Sequence, residues 1–278
     1  MKVQKKWPRV VAVIVLIAVC LFIIFPIYIV VMNSFKSKLY ISADPFSLPN
    51  SQTFTGLENY TSGLAKTGFF SAFGYSLWIT VASVVVIILC TSMLAWYVTR
   101  VHGKVTTAIY YALVFSMIVP FQMVMYPMSK IADMIHINNP VGIIILYVGF
   151  GCGTATFMFS GFIKSIPLAL EEAAAIDGTS PVGTFFKIVF PMLTPTTITI
   201  AILETMWVWN DYLMPYLVIG TEYRTIPVAV QYLRGGYGSV DMGAMMAMLF
   251  LAMLPVIIFY IFCQKYIISG VTAGAVKE

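Results

Sequence analysis

The chain has 278 residues, 60% of them hydrophobic and only 10% charged, with a formal net charge of +5. A soluble domain carries about 25% charged residues, so the composition excludes an ordinary soluble globule and points to a membrane protein. The small positive surplus reflects membrane topology and gives no sign of a nucleic-acid partner.

Six apolar segments are long enough to cross a hydrocarbon core about 30 Å thick, which takes roughly 20 helical residues. The first, Val10–Met32, has an apolar core of 23 residues and no clear small-x-small cleavage site. Signal-peptide cores run about 7–15 residues, so this segment is expected to be a retained anchor. Loop 33–68 follows, with Ser, Thr, Pro and Gly spread through it, and is expected to form turns and short helices on the outer rim. The second span, Phe69–Thr99, ends in a tight turn, Arg100–Lys104, that contains Gly103. The third, Val105–Ser129, carries Gln122 beside Pro120, and Lys130–His136 makes a short outer turn. The fourth, Ile137–Ile163, holds Gly149, Gly151 and Gly153, where close helix packing is the default and a kink lining a pathway is the alternative. A polar segment, 165–187, separates it from the fifth, Ile188–Asn210, the one span with an ionisable residue, Glu204. Tyr212–Gly220 is apolar but too short to cross, which predicts an interfacial or re-entrant piece in outer loop 211–241. Gly235, Gly236 and Gly238 predict a flexible turn before the last span, Met242–Gln264.

These apolar runs are continuous, whereas barrel strands alternate over about 10 residues. The expected fold is therefore an all-α integral membrane protein with six transmembrane helices in a single domain, its core at residues 69–264. With the N-terminus inside, the inner segments hold ten basic residues: Lys2, Lys5, Lys6, Arg9, Arg100, Lys104, Lys164, Lys187, Lys265 and Lys277. The outer segments hold six: Lys36, Lys38, Lys66, Lys130, Arg224 and Arg234. Basic residues favour the cytoplasmic side, so both termini and the 165–187 loop are expected there. Cys20, Cys90, Cys152 and Cys263 fall in apolar spans without close spacing and read as small buried thiols. His102 and His136 lie in loops on opposite sides, so no converging metal ligands are expected.

The polar loop is the most informative stretch. Ser165 and Pro167 suit a helix start, Leu168 to Asp177 are mostly helix formers, Gly178 suits a C-cap with positive φ, and Ser180-Pro181 restarts a helix. The prediction is two short helices at an angle. Ala173, Ala174 and Ala175 keep the first one slim enough for another protein's groove, while Glu171 and Glu172 offer carboxylates to a basic partner.

Glu172-Ala173-Ala174 is followed by three residues and Gly178, then by nine residues, Ile188, and Phe190-Pro191. This spacing resembles the coupling loop of permease subunits of ATP-binding-cassette (ABC) importers, where E-A-A, three residues, Gly and nine residues lead to Ile-x-Leu-Pro. Phe190 replaces Leu. Trp209-Asn210-Asp211-Tyr212-Leu213, the tail Gln264-Lys265-Tyr266 with Gly270-Val271-Thr272-Ala273-Gly274-Ala275-Val276-Lys277, and Phe54-Thr55-Gly56-Leu57-Glu58-Asn59-Tyr60 resemble the carbohydrate-uptake branch, closest to its second, maltose-type membrane subunit.

The resemblance implies a type I importer permease fold in a bacterial plasma membrane and an assembly with a second permease, two cytoplasmic ATPase subunits and an extracytoplasmic solute-binding protein. It implies that Glu171, Glu172, Ala173, Ala174, Asp177 and Gly178 couple the chain to the ATPase and that the cargo is a sugar, expected to be an oligosaccharide. ATP and its magnesium would be held by the partners. This chain has no Gly-x-x-x-x-Gly-Lys-Ser/Thr phosphate loop, so it is expected to be a transport subunit and not an enzyme.

Glu204 sits roughly 9 Å below the outer end, counting from Asn210 at about 1.5 Å per residue. It reads either as a sugar-hydroxyl acceptor in the pathway or as a packing contact. Trp207, Asn210, Gln122 and Gly151 are further pathway candidates, with Trp207 and Trp209 reading equally as interfacial anchors. The rival assignment is an ion-coupled secondary transporter of a small polar solute. It accounts for six spans and Glu204 but not for the helix–Gly–helix loop or for the absence of inverted halves.

Overall fold

The computed structural model describes residues 6–234 and 240–275 and is built from helices, with one isolated antiparallel bridge between Lys36 and Phe54. In chain order they are α1 (Lys6–Asn33), α2 (Lys38–Ala43), α3 (Glu58–Thr67), α4 (Phe69–Arg100), α5 (Lys104–Ser116), α6 (Phe121–Met134) and α7 (Gly142–Ile163). Then come α8 (Leu168–Ile176), α9 (Pro181–Thr184), a π-helical turn at Phe185–Val189, α10 (Phe190–Met192), α11 (Thr194–Asn210), α12 (Leu213–Val218), α13 (Ile226–Gln231) and α14 (Met242–Ala275). Lys2 and Lys5, the turn glycines Gly235, Gly236 and Gly238, and the tail residues Val276 and Lys277 lie outside the described residues.

Among the described residues, four helices are long and apolar enough to cross a membrane: α1, α4, α7 and α14. The other two expected spans are bent pairs rather than straight rods, which corrects the simple reading. The third breaks between α5 and α6 with a bend of 106°. The cause is local. Pro120 has no N–H to donate and adopts an extended conformation (φ −63°, ψ 133°), while Met117, Ile118 and Val119 close tight turns onto Val114, Phe115 and Ser116. The fifth bends by 76° at Leu193, between Pro191 and Pro195. The fourth starts at Gly142 rather than Ile137, because Asn139 Oδ1 accepts from the Val141 and Gly142 N–H groups and organises a turn there.

The chain forms two compact units, Met1–Phe70 with Ala229–Pro255, and Ser71–Val228 with Val256–Glu278. In the first, the Phe54–Tyr60 segment staples the long loop. Asn59 Nδ2 donates to the carbonyls of Ser34 and Lys36 (2.8 Å each), and the Ser34 hydroxyl meets the Tyr60 hydroxyl at 2.7 Å. Lys36 is fully buried, its ammonium donating to the Asp44 carbonyl at 3.0 Å and to Ser47 Oγ at 3.3 Å. Lys66 pairs with Asp241. Burial pushes the Asp241 carboxyl up, but hydrogen bonds from Lys66 and the Ala244 N–H outweigh it and leave the group below its ordinary range. The apolar side chains of α1 from Val10 to Phe25 are exposed, as expected of a lipid-facing anchor.

Among the described residues, two apolar clusters lie in the second unit. One joins Ile87 and Ala95 of α4, Phe159 and Ile163 of α7, Phe185 and Val189 of the π turn, and Ile200 of α11. The other joins Ile79, Ala132, Ile143, Tyr147, Val208 and Met214, and so packs α12 against α6 and α7 as an interfacial element.

Candidate functional site

Segment 165–187 folds into an elbow of two short helices. α8 begins two residues later than the Ser165 reading implies. Pro167 occupies the N-cap in extended conformation (φ −60°, ψ 127°), and the Ser165 hydroxyl donates backward to the Phe162 carbonyl at 2.7 Å, extending the turn that ends α7. The other end follows the sequence closely. Gly178 has φ 78°, its N–H donates to Ala175 (3.0 Å), and the Thr179 N–H donates to Ala174 (2.9 Å). This pair of bonds is a Schellman cap, which needs the left-handed conformation that glycine adopts without strain. Ser180 Oγ then accepts from the Gly183 N–H at 3.2 Å, and Pro181 opens α9.

α8 presents two faces. Glu171 and Ala174, three residues apart, are buried; Glu172, Ala173, Ala175, Ile176 and Asp177 are exposed. Two readings of the sequence change accordingly. Ala174 lines the inner seam, leaving Ala173 and Ala175 to face outward. The Glu171 carboxylate is not offered outward either. It is 9% exposed and held by Arg100, with Nε at 2.9 Å and Nη2 at 2.7 Å, and by Trp96 Nε1 at 2.9 Å. Only Glu172 and Asp177 present acidic groups at the tip. The sequence reading missed Ile176, 86% exposed, and Val182, 60% exposed, which flank the glycine bend as apolar prongs. The signal was available: Ile176 closes a helix immediately before Asp-Gly, with no apolar residue at the next two helical spacings.

The pathway candidates are dispersed. Glu204 is 5% exposed, points at α7, and has one carboxyl oxygen without a hydrogen-bond partner among the described residues. A Cβ at Gly151 would come within 3.0 Å of that oxygen and 2.8 Å of Ile87 Cδ1, so the absent side chain makes room for the carboxyl. α7 runs unbroken through its glycines; Gly151 and Gly153 serve close packing rather than a kink, while nothing lies within 4 Å of an added Cβ at Gly149. Trp207 is partly exposed and meets the Tyr147 ring edge-to-face at 5.3 Å. Trp209 is buried against Phe73, ring centroids 5.8 Å apart. Asn210 is exposed and donates to the Met206 carbonyl of its own helix at 2.7 Å. Gln122 is exposed at the start of α6. The structure therefore brings together Glu204 and Gly151 out of that set.

Asp211 explains the Trp-Asn-Asp segment. It accepts from the Tyr147 hydroxyl at 3.0 Å and from the Leu213 and Met214 N–H groups, tying the end of α11 to α7 and capping α12. Burial pushes its carboxyl above the usual range, and these hydrogen bonds draw it part of the way back.

The chain matches the family described as binding-protein-dependent transport system inner membrane component over residues 87–273. It is 40% identical over 254 residues to a probable starch degradation products transport system permease protein of Thermoanaerobacterium thermosulfurigenes, covering 91% of each chain. It is 35% identical over 260 residues to a multiple sugar-binding transport system permease protein of Streptococcus mutans, covering 92% of each. It is 30% identical to a melibiose/raffinose/stachyose import permease protein of Bacillus subtilis, covering 99% of this chain and 98% of the other. A chain from the crystal structure of a bacterial ABC transporter that imports alginate superposes with a TM-score of 0.77 at 19% identity, over 96% of this chain and 98% of that one, which shows a shared fold. The matched span takes in both the elbow and α7–α11, and by it the chain belongs to the family of binding-protein-dependent transport system inner membrane components.

Proposed function

We propose that this chain is one of two membrane subunits of an ATP-driven, binding-protein-dependent importer that carries an oligosaccharide across a bacterial plasma membrane. Two cytoplasmic ATPase subunits drive the pair, the elbow of this chain seated in an ATPase cleft; a second permease completes the pathway, and an extracytoplasmic binding protein delivers the sugar. ATP and magnesium belong to the partners. The observation that carries this reading is the division of α8 into an anchored face, Glu171 and Ala174, and a presented face, Glu172, Ala173 and Ile176. A surface loop whose apolar prongs stand in water has a reason to exist when another protein covers them. The sugar class rests on the relatives, whose names cite starch degradation products and raffinose-type sugars.

The test is uptake by sealed vesicles containing the full complex. Sugar accumulates with ATP on the ATPase side and stops when the ATPase subunits are omitted. Uptake that persists without them and follows an ion gradient contradicts the reading and favours a secondary transporter.

Within this mechanism Glu204 packs α11 against α7 and does not touch cargo. Glu204→Gln is expected to leave the half-saturating sugar concentration unchanged. A rise of about tenfold, equivalent to roughly 1.4 kcal/mol, would place Glu204 in the sugar path.

A further inference from the structure

Trp96 and Arg100 lie four residues apart on one face at the end of α4, and together they hold the elbow at three places. Arg100 Nη2 donates to the Ile166 carbonyl at 2.9 Å, just before α8 begins. Arg100 and Trp96 grip the two oxygens of Glu171 in the first turn of α8. The Trp96 ring packs on Phe185 with centroids 5.5 Å apart, where the chain leaves the elbow, and Phe185 is fully buried. The start, the first turn and the exit of the elbow are thus fastened to a single helix, although the elbow lies between α7 and α10 in sequence.

A buried ion pair is a poor source of net stability, because desolvation offsets most of the attraction. Its value lies in direction: a carboxylate that receives an indole N–H on one oxygen and a guanidinium on the other has little freedom to rotate. Without these bonds, a push on Glu172 or Ile176 swings α8 about the Pro167 turn. With them, the push is delivered to α4.

We propose that Trp96, Arg100 and Glu171 form a clamp that makes the elbow and α4 move as one body, so that these three are positioning residues for transport. The proposal rests on the elbow being the ATPase seat. It assigns Glu171 an inward role distinct from that of Glu172.

The experiment uses the full complex in proteoliposomes and reads three quantities: ATPase subunits recovered with the permease, ATP hydrolysed, and sugar moved per ATP. Arg100→Gln and Glu171→Gln are expected to retain the ATPase and its hydrolysis while sugar moved per ATP falls, because the push on α8 is no longer delivered to α4. The exchange Arg100→Glu with Glu171→Arg is expected to recover part of the loss. Trp96→Phe, which keeps the ring and removes the N–H, is expected to fall between. Wild-type stoichiometry in both single variants overturns the clamp. So does a loss that merely tracks a lower recovery of the complex and is not relieved by the exchange. If the wild-type chain recovers no ATPase, the seat itself is wrong and the clamp falls with it, a pattern distinct from intact binding with intact coupling.

Discussion

Replacing Gly178 with Asp is expected to reduce uptake to background while the permease stays in the membrane at its normal level. Two effects act together. The residue has φ 78°, a left-handed conformation that costs an L-residue about 1–2 kcal/mol. The new carboxylate would stand beside Asp177 at the C-terminal end of α8, where the helix dipole already disfavours negative charge. The whole penalty falls on the elbow, because nothing lies within 4 Å of an added Cβ at this position and the spans are untouched. Glu172→Lys is expected to give the same phenotype by a different route. Glu172 is exposed, on the face of α8 opposite the buried Glu171 and Ala174, so reversing its charge is expected to leave folding intact and to remove an acidic group from the presented face. Uptake assays beside quantitation of the subunit in membranes check both variants. Normal uptake by both would remove the elbow from the mechanism.

The second large effect belongs to the spans. A Cβ at Gly153 would lie 2.6 Å from the Leu113 carbonyl oxygen, 2.8 Å from Ser116 Oγ and 2.9 Å from Met117 Cγ. The first of these is backbone, in the last turn of α5, at the root of the α5–α6 bend, and it cannot swing aside as a side chain can. Small residues at helix contacts in membranes allow this kind of close backbone approach. Gly153→Ala is expected to cost about 1–3 kcal/mol through overpacking, and Gly153→Val more. The neighbouring glycines grade the effect. Gly151→Ala meets Ile87 Cδ1 and the Glu204 carboxyl, both movable ends, and is expected to cost less. Gly149→Ala meets nothing within 4 Å and is expected to be neutral. Thermal unfolding of the detergent-solubilised complex should rank the three in that order. Equal midpoints would show that α5 does not press on α7 here.

How much of this was legible in the sequence depends on the range of the interaction involved. The elbow was, because Gly178, Ser180 and Pro181 act on their own backbone within a few residues. The assignment of Glu171 outward was not correct, because adjacent glutamates look alike until Arg100, 71 residues earlier, claims one of them. Gly151 and Gly153 were visible as small residues, but whether they kink or pack depends on which helices meet them. Hydrophobicity located the spans and concealed the bends, since Pro120 and Leu193 sit in runs that stay apolar through the break. Pro120 signalled a disruption of hydrogen bonding, yet the angle of 106° depends on the elements that α6 packs against. Asp211 drew notice only as part of a family segment; its cap of α12 is local, through the Leu213 and Met214 N–H groups, but its tie to α7 requires Tyr147, 64 residues away.

The account stands on the elbow being gripped by a nucleotide-driven motor, and single-cysteine crosslinking tests this most directly. Cys20, Cys90, Cys152 and Cys263 are first replaced, and one cysteine is then placed at 173, 174 or 175 in the intact complex. Positions 173 and 175 are expected to capture an ATPase subunit in a nucleotide-dependent way, while position 174, turned into the seam, does not. Capture from none of the three, or equal capture from all of them, would contradict the account.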